Sequence, residues 1–591
     1  MKFVRFTWCL GLSFAASACF AQSNPVPFVN QPLVPAAVAP GRPVFSLTVN
    51  GAGFVSGSIV NWNGTPLATK FVSAGKLTAV VPAEDVSSNR TVIVTVVSPS
   101  PGGGSSNPVP FSIIEPTSNL VFTGLPVAGV TAPISAVTAD FNHDGIADLA
   151  VIDQAPAPSC NYQFRGVGSI AILLGNGDGT FTKHSTLCFV DLLGETPQRL
   201  ALTGDLNRDG NVDLIAVSND LPGDRLDIYY GNGDGTFTVP LQAAAVRALT
   251  SAPFQNIKGL ALGDFYSNGQ LNIAESEVYG NGAAQVFLNP EGDSLFLNGG
   301  GIGAGPLSSG DFNGDGVLDL ADGSRSLKIF LNAGNGAFTQ LPDVPFGDGT
   351  APIVSGDFNG DGILDLATTN GNSLSVLLGK GDGTFSQEGG QPISAQTNVA
   401  LITTDFNGDG KLDLAVVDSM NAVSIWRGNG DGIFQAPVDT TGRGDSVVAA
   451  DFNGDGRMDL AVTDSAGGTV TVLLQGPPYK ASVEPPIDAD GTSVFSHKRG
   501  VLPVRFTLFE NGTPTCALPP ATIAITRTAN GKLVNNRIYA TPADKGSNFR
   551  IDPSACQYVY KVAARRLGIG EYRAEISING AEIGYAVFSL R

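Results

Sequence analysis

Asp140-Phe141-Asn142-His143-Asp144-Gly145-Ile146-Ala147-Asp148-Leu149-Ala150-Val151 is the stretch on which much of this chain is patterned. The phrase starts again at Asp205, Asp264, Asp311, Asp357, Asp405 and Asp451, seven copies separated by 65, 59, 47, 46, 48 and 46 residues. A spacing near 46 residues is the size of one four-stranded blade of a β-propeller. The two longer spacings call for insertions, and the first of them contains Cys160 and Cys188.

Within a repeat the residues read as short strands. In the seventh copy residues 446–451, 459–463 and 469–474 are rich in Val, Ala, Leu and Thr and are bounded by turn residues. A second phrase, Gly175-Asn176-Gly177-Asp178-Gly179-Thr180-Phe181, returns as residues 231–237, 379–385 and 428–434. Its Asn-Gly and Asp-Gly steps suit tight hairpins, and its Phe is expected to start the outer strand and pack against its own blade. The seventh repeat lacks this phrase. Phe122-Thr123-Gly124-Leu125-Pro126, ahead of the first repeat, echoes Phe338-Thr339-Gln340-Leu341-Pro342 inside the array. The N-terminal piece can therefore supply the missing outer strand, which predicts a closed seven-bladed ring with protected edges.

The first phrase also has a chemistry. Oxygen side chains stand at its positions one, three, five and nine, position seven can offer a carbonyl, and Gly at position six permits the sharp turn, as in the first nine positions of an EF-hand-like calcium loop. The candidate ligands are Asp140, Asn142, Asp144, Ile146 and Asp148; Asp205, Asn207, Asp209, Asn211 and Asp213; Asp311, Asn313, Asp315, Val317 and Asp319. The later copies add Asp357, Asn359, Asp361, Ile363 and Asp365; Asp405, Asn407, Asp409, Lys411 and Asp413; and Asp451, Asn453, Asp455, Arg457 and Asp459. Hard oxygen donors on a flexible loop favour Ca2+ over zinc, copper or magnesium, so about six calcium sites are expected. The third copy places Asp264, Tyr266, Asn268 and Asn272 at the ligand positions. It has lost two carboxylates and is expected to hold no metal.

The seven phrases resemble FG-GAP/VCBS repeats, related to the propeller of integrin α subunits, over residues 117–476. The resemblance implies calcium-binding blade hairpins and a propeller used for adhesion and for carbohydrate or protein recognition. The regularly placed Phe-Gly and Gly-Ala-Pro words of that family are missing here, which removes the basis for carrying over an integrin-like ligand site.

Two further β units flank the array, so the fold class expected is all-β, a seven-bladed propeller between two immunoglobulin-like β-sandwich domains. Residues 22–116, with Phe45–Phe54, Val60–Gly64 and Lys76–Pro82 as strand and turn phrases, resemble an IPT/TIG sandwich. Trp62 there reads as core. Residues 477–591 read as a second small sandwich. Residues 1–21 have the form of a secretory leader: Lys2 and Arg5, an apolar run, and Ala21 before the cut. The lipobox-like Ala16-Ser17-Ala18-Cys19 is the weaker alternative. Export makes the pairs Cys160–Cys188 and Cys516–Cys556 expected disulfides.

The formal charge of −19 becomes −21 once Lys2 and Arg5 leave with the leader. So acidic a chain should repel nucleic acid and anionic membranes, and no later segment reads as transmembrane. None of the three histidines, His143, His184 and His497, sits in a metal-ligand spacing, and no nucleophile elbow or phosphate loop occurs. The expectation is a secreted or cell-surface binder of glycans or surface proteins and not an enzyme. Alternatives are a polysaccharide lyase or hydrolase on the same scaffold and a structural envelope or matrix protein. Arg443-Gly444-Asp445 reads as a loop entering the seventh blade.

Overall fold

The computed structural model describes residues 23–117, 120–154, 167–190, 200–220, 223–238, 257–277, 284–287, 294–296, 305–324, 326–345, 351–370, 373–387, 391–392, 398–476, 479–487, 492–496, 498, 500–510, 513–516, 521–529, 532–537, 548–578 and 581–591. The leader, Cys160 and His497 fall outside them. The described residues are almost all β, with one 3-10 turn at Ala83–Val86 and one helical turn at Ala564–Leu567. The all-β propeller class is the observed one.

Each acidic phrase forms the hairpin between an inner strand and a second strand, as between Pro133–Ala139 and Asp148–Asp153. A third strand, Val167–Gly175, and an outer strand, Phe181–Val190, complete an antiparallel sheet in chain order. Seven such sheets, of four or five strands each, follow one another among the described residues from 121 to 476. The second strands carry Leu-Ala-Val runs without polar alternation because both their faces are covered. Leu149 and Val151 pack with Phe452, Val470 and Val472 on one side, and Ala150 and Ile152 with Leu214 and Tyr229 on the other.

The two ends of the array meet. Val121–Val127 pairs antiparallel with Thr469–Gly476, from Val121 opposite Gly476 to Val127 opposite Val470, and so fills the outer-strand position that the seventh repeat lacks. The first and last inner strands touch, with Ser135 Oγ 3.4 Å from Ser446 Oγ.

The second-phrase Phe starts the outer strand and packs with residues of its own blade, as the sequence suggests. What the sequence does not show is that it also meets the Phe at position two of the preceding repeat: Phe141 with Phe237 (ring centroids 5.5 Å apart), Phe312 with Phe385 (5.9 Å) and Phe358 with Phe434 (5.9 Å). The same edge-to-face contact crosses the closure, Phe452 with Phe181 at 5.5 Å. Each pair is tied by a backbone bond, Gly235 N–H to Phe141 O and Gly179 N–H to Phe452 O, both 3.0 Å. The reason is geometric: both hairpins of a sheet lie on one face of the array, so the outer hairpin leans over its neighbour's acidic loop. In the seventh sheet, which has no second phrase, the Gln475 side-chain amide donates to Phe406 O at 3.0 Å instead.

The N-terminal unit is two facing sheets around a core that includes Leu47, Val60, Leu77, Val94 and Phe111. Trp62 is buried there, 5.1 Å from Phe111 between ring centroids. The C-terminal unit is likewise two sheets, built on Leu502–Glu510 and Gln557–Val562 facing Gly570–Ile578 and Ala521–Ala529. Phe506 stacks on Tyr558 at 4.4 Å in its core, and Cys516 is bonded to Cys556. Cys188 is also disulfide-bonded. Phe452 is 1% exposed and sits at the closure, so Phe452→Ala should destabilise the array by about 3–5 kcal/mol. The urea denaturation midpoint measures this. A loss below about 1 kcal/mol would mean that the contact does not hold the two ends together.

Candidate metal centre

The loops are built alike, residue by residue. In the first, Asp140 Oδ1 accepts the Asp144 N–H at 3.1 Å and Oδ2 the Gly145 N–H at 2.9 Å. Asn142 Oδ1 accepts the Asp144 N–H, its Nδ2 donates to Asp144 Oδ2, and Asp144 Oδ1 accepts the Ile146 N–H. Asp205 to Asn211 repeats this set, as do Asp311 to Val317 and Asp357 to Ile363. Asp405 to Lys411 and Asp451 to Arg457 follow closely. Position six is left-handed throughout, with φ +82 to +89, and is always Gly. Position four is left-handed too, and there His143, Arg208 and Ser267 stand where the last four loops carry Gly.

Position nine has a role that the ligand pattern did not reveal. Asp148 Oδ2 accepts the Phe141 N–H and Oδ1 the Gly175 N–H, both 2.8 Å, so one carboxylate joins the hairpin to the third strand. Asp213 does this with Leu206 and Gly231, Asp319 with Phe312 and Asn332, and Asp365 with Phe358 and Gly379. Asp413 bonds Phe406 and Gly428, and Asp459 bonds Phe452 and Gln475. The sequence does hold one signal of it. The degenerate third loop keeps an oxygen there, Asn272 Oδ1 accepting the Phe265 N–H at 3.1 Å.

The cost is electrostatic. All six position-nine carboxylates are 0% exposed. Burial first, with the charge at position one adding, pushes Asp213 up to about 6; burial with the charges at positions one and five adding pushes Asp148 up to about 6 and Asp319 and Asp365 up to about 7. Asp413 and Asp459 are raised well above the ordinary carboxylate range for the same reasons. At position one, burial raises Asp311 to about 6 and Asp405 to about 7. Among the described residues no three His, Cys, Asp or Glu side chains converge on one point; the carboxylates are engaged with backbone N–H donors. What the loops offer a cation is a set of hard oxygen donors whose negative charges disfavour one another.

Other sequence candidates are accounted for by packing. Asp445 is buried, accepts from Ser465 N–H and Oγ–H and donates its own N–H to Thr463 O at 2.7 Å, so the Arg443-Gly444-Asp445 turn does not present its carboxylate to solvent. His143 is exposed, with Nε2 3.0 Å from Asn211 Oδ1 in the second loop.

Fold and loops together define a β-propeller repeat protein with acidic inner hairpins and an accompanying β-sandwich. Its repeats are FG-GAP-like repeats, matched over residues 205–274, 311–368, 357–404 and 405–462, and residues 40–113 are an IPT/TIG domain. No curated protein matches the chain. Among solved structures it is similar to an Agrocybe aegerita lectin described as recognising non-reducing terminal N-acetylglucosamine, at 17% identity and TM-score 0.40, covering 64% of this chain and 96% of the lectin. It is also similar to an auxiliary nutrient binding protein from Bacteroides ovatus, at 12% identity and TM-score 0.30, covering 76% of this chain and 98% of that one.

Because folding raises these carboxylate pKa values, the cation-free folded chain binds more protons than the unfolded chain between about pH 4 and about 7. The contribution to stability is fully present below about pH 4 and is lost as pH rises through about 7. In chelator, the melting temperature should therefore fall across this window, as followed by calorimetry at constant ionic strength. A melting temperature that climbs towards neutral pH would contradict the charge crowding.

Proposed function

We propose that the protein is an exported calcium-binding β-propeller whose role is recognition of glycans or surface proteins, with no turnover of what it binds. One observation carries the calcium reading: six times over, a fully buried Asp at position nine stands with two more carboxylates in the same nine-residue turn. The residues that would hold each ion are the Asp at positions one, five and nine, the Asn at three and the carbonyl at seven. A bound ion neutralises the crowded carboxylates. Six would take the leaderless chain from −21, its −19 less Lys2 and Arg5, to about −9.

Calcium is favoured because all the donors are hard oxygens on a loop held by Asx-type bonds, which adapts to a large ion. Recognition is supported by the architecture, a stiff repeat scaffold that displays loops. The Cys516–Cys556 bond and the disulfide-bonded Cys188 support an oxidising, extracellular setting, and among the described residues no helix is long and apolar enough to cross a membrane.

Calorimetric titration of chelator-stripped protein with CaCl2 should show about six ions with dissociation constants of about 10⁻⁴ to 10⁻³ M, and calcium should raise the melting temperature. Flat heats and an unchanged melt would overturn the calcium reading. A glycan array probed with calcium-loaded protein should return a defined set of glycans. Release of reducing ends or unsaturated products from polysaccharides would replace recognition with catalysis.

A further inference from the structure

The third loop departs from the other six, and the structure shows what meets it. Asp264 is 3% exposed, and its Oδ2 accepts a buried backbone N–H from Val26 of the N-terminal unit at 2.9 Å, besides the Gly269 N–H of its own loop. In loops one, two, four, five and six the position-one carboxylate accepts only from its own loop among the described residues. Tyr266, at the position where the others carry Asn, joins an apolar cluster with Phe28, Ala52 and Phe265. A Cβ at Gly269 would lie 2.6 Å from Gly102 Cα and 2.7 Å from Asn24 O. The residue that replaces the ligand-type Asn here, Tyr266, thus turns to the N-terminal unit, while Asp264 and Gly269 of the same loop also meet it.

The contact runs on along the same face. Gly53 N–H donates to Gly316 O in loop four, Asp357 N–H of loop five to Gln31 O, and Thr117 N–H to Asn407 O in loop six, at 2.9 to 3.0 Å. At Gly408 in loop six and Gly456 in loop seven, a Cβ would lie 2.6 and 2.9 Å from Ile114. Among the described residues loops one and two make no such contact, while the carboxylate at position five stays exposed in loops one, two, four, five and six alike.

We infer that the third loop is the anchor of the N-terminal domain on the propeller, with a backbone amide in place of a cation, and that the same docking runs along loops four to seven.

Val26→Pro removes the donated N–H, and Gly269→Leu drives a side chain into the Gly102 backbone. Both should release the domain in the full chain, seen as a larger radius of gyration in small-angle scattering and faster amide hydrogen exchange in loops four to seven. Unchanged scattering and exchange in both variants would overturn the anchor.

Discussion

A buried carboxylate at the ninth loop position is the constraint from which the rest follows. Each of the six takes one N–H from its own hairpin and one from the third strand, so it fixes the angle between the hairpin and the sheet behind it. Such an acceptor would cost little if it were neutral; as a carboxylate excluded from water it carries a desolvation penalty. The penalty grows because two more carboxylates share the turn. The same residue that shapes the blade therefore also adds to the crowding of negative charge in its loop, so a substitution there alters scaffold and charge together.

Around this point the sheets are joined by repetition of one contact. The Phe beside the first Asp of a loop meets the outer-hairpin Phe of the next sheet, and a glycine N–H reaches the carbonyl next to it. The closure at Phe181 and Phe452 uses the same pair as the interior of the array. Where the phrase that supplies the hairpin is missing, the amide of Gln475 provides the donor, so the bond is retained although the residue that makes it has changed.

The degenerate loop shows what relaxes when a repeat has another use. Asp264 keeps its carboxylate, Asn272 keeps an oxygen for the Phe265 N–H, and Tyr266 turns to the neighbouring domain. The parts retained are those that fold the hairpin. The parts changed are the Asn at position three, now Tyr266, and the carboxylates at positions five and nine, now the amides Asn268 and Asn272.

The sequence by itself determined the repeat and its period, the place of every acidic hairpin, the use of residues 121–127 to complete the last sheet, the pairing of Cys516 with Cys556 and the core placement of Trp62. These are legible because turn residues and strand alternation act over a few neighbours, and seven copies make the pattern plain. Tertiary structure alone decided that Phe181 packs on Phe452, that Asp148 bonds Gly175, that Asp445 is buried, and that Val26 reaches Asp264 across 238 residues. Those outcomes depend on how one sheet leans on the next and where a separate domain comes to rest. Side chains brought together over such distances in the chain leave no local period to be read, so their partners exist only once the fold has formed.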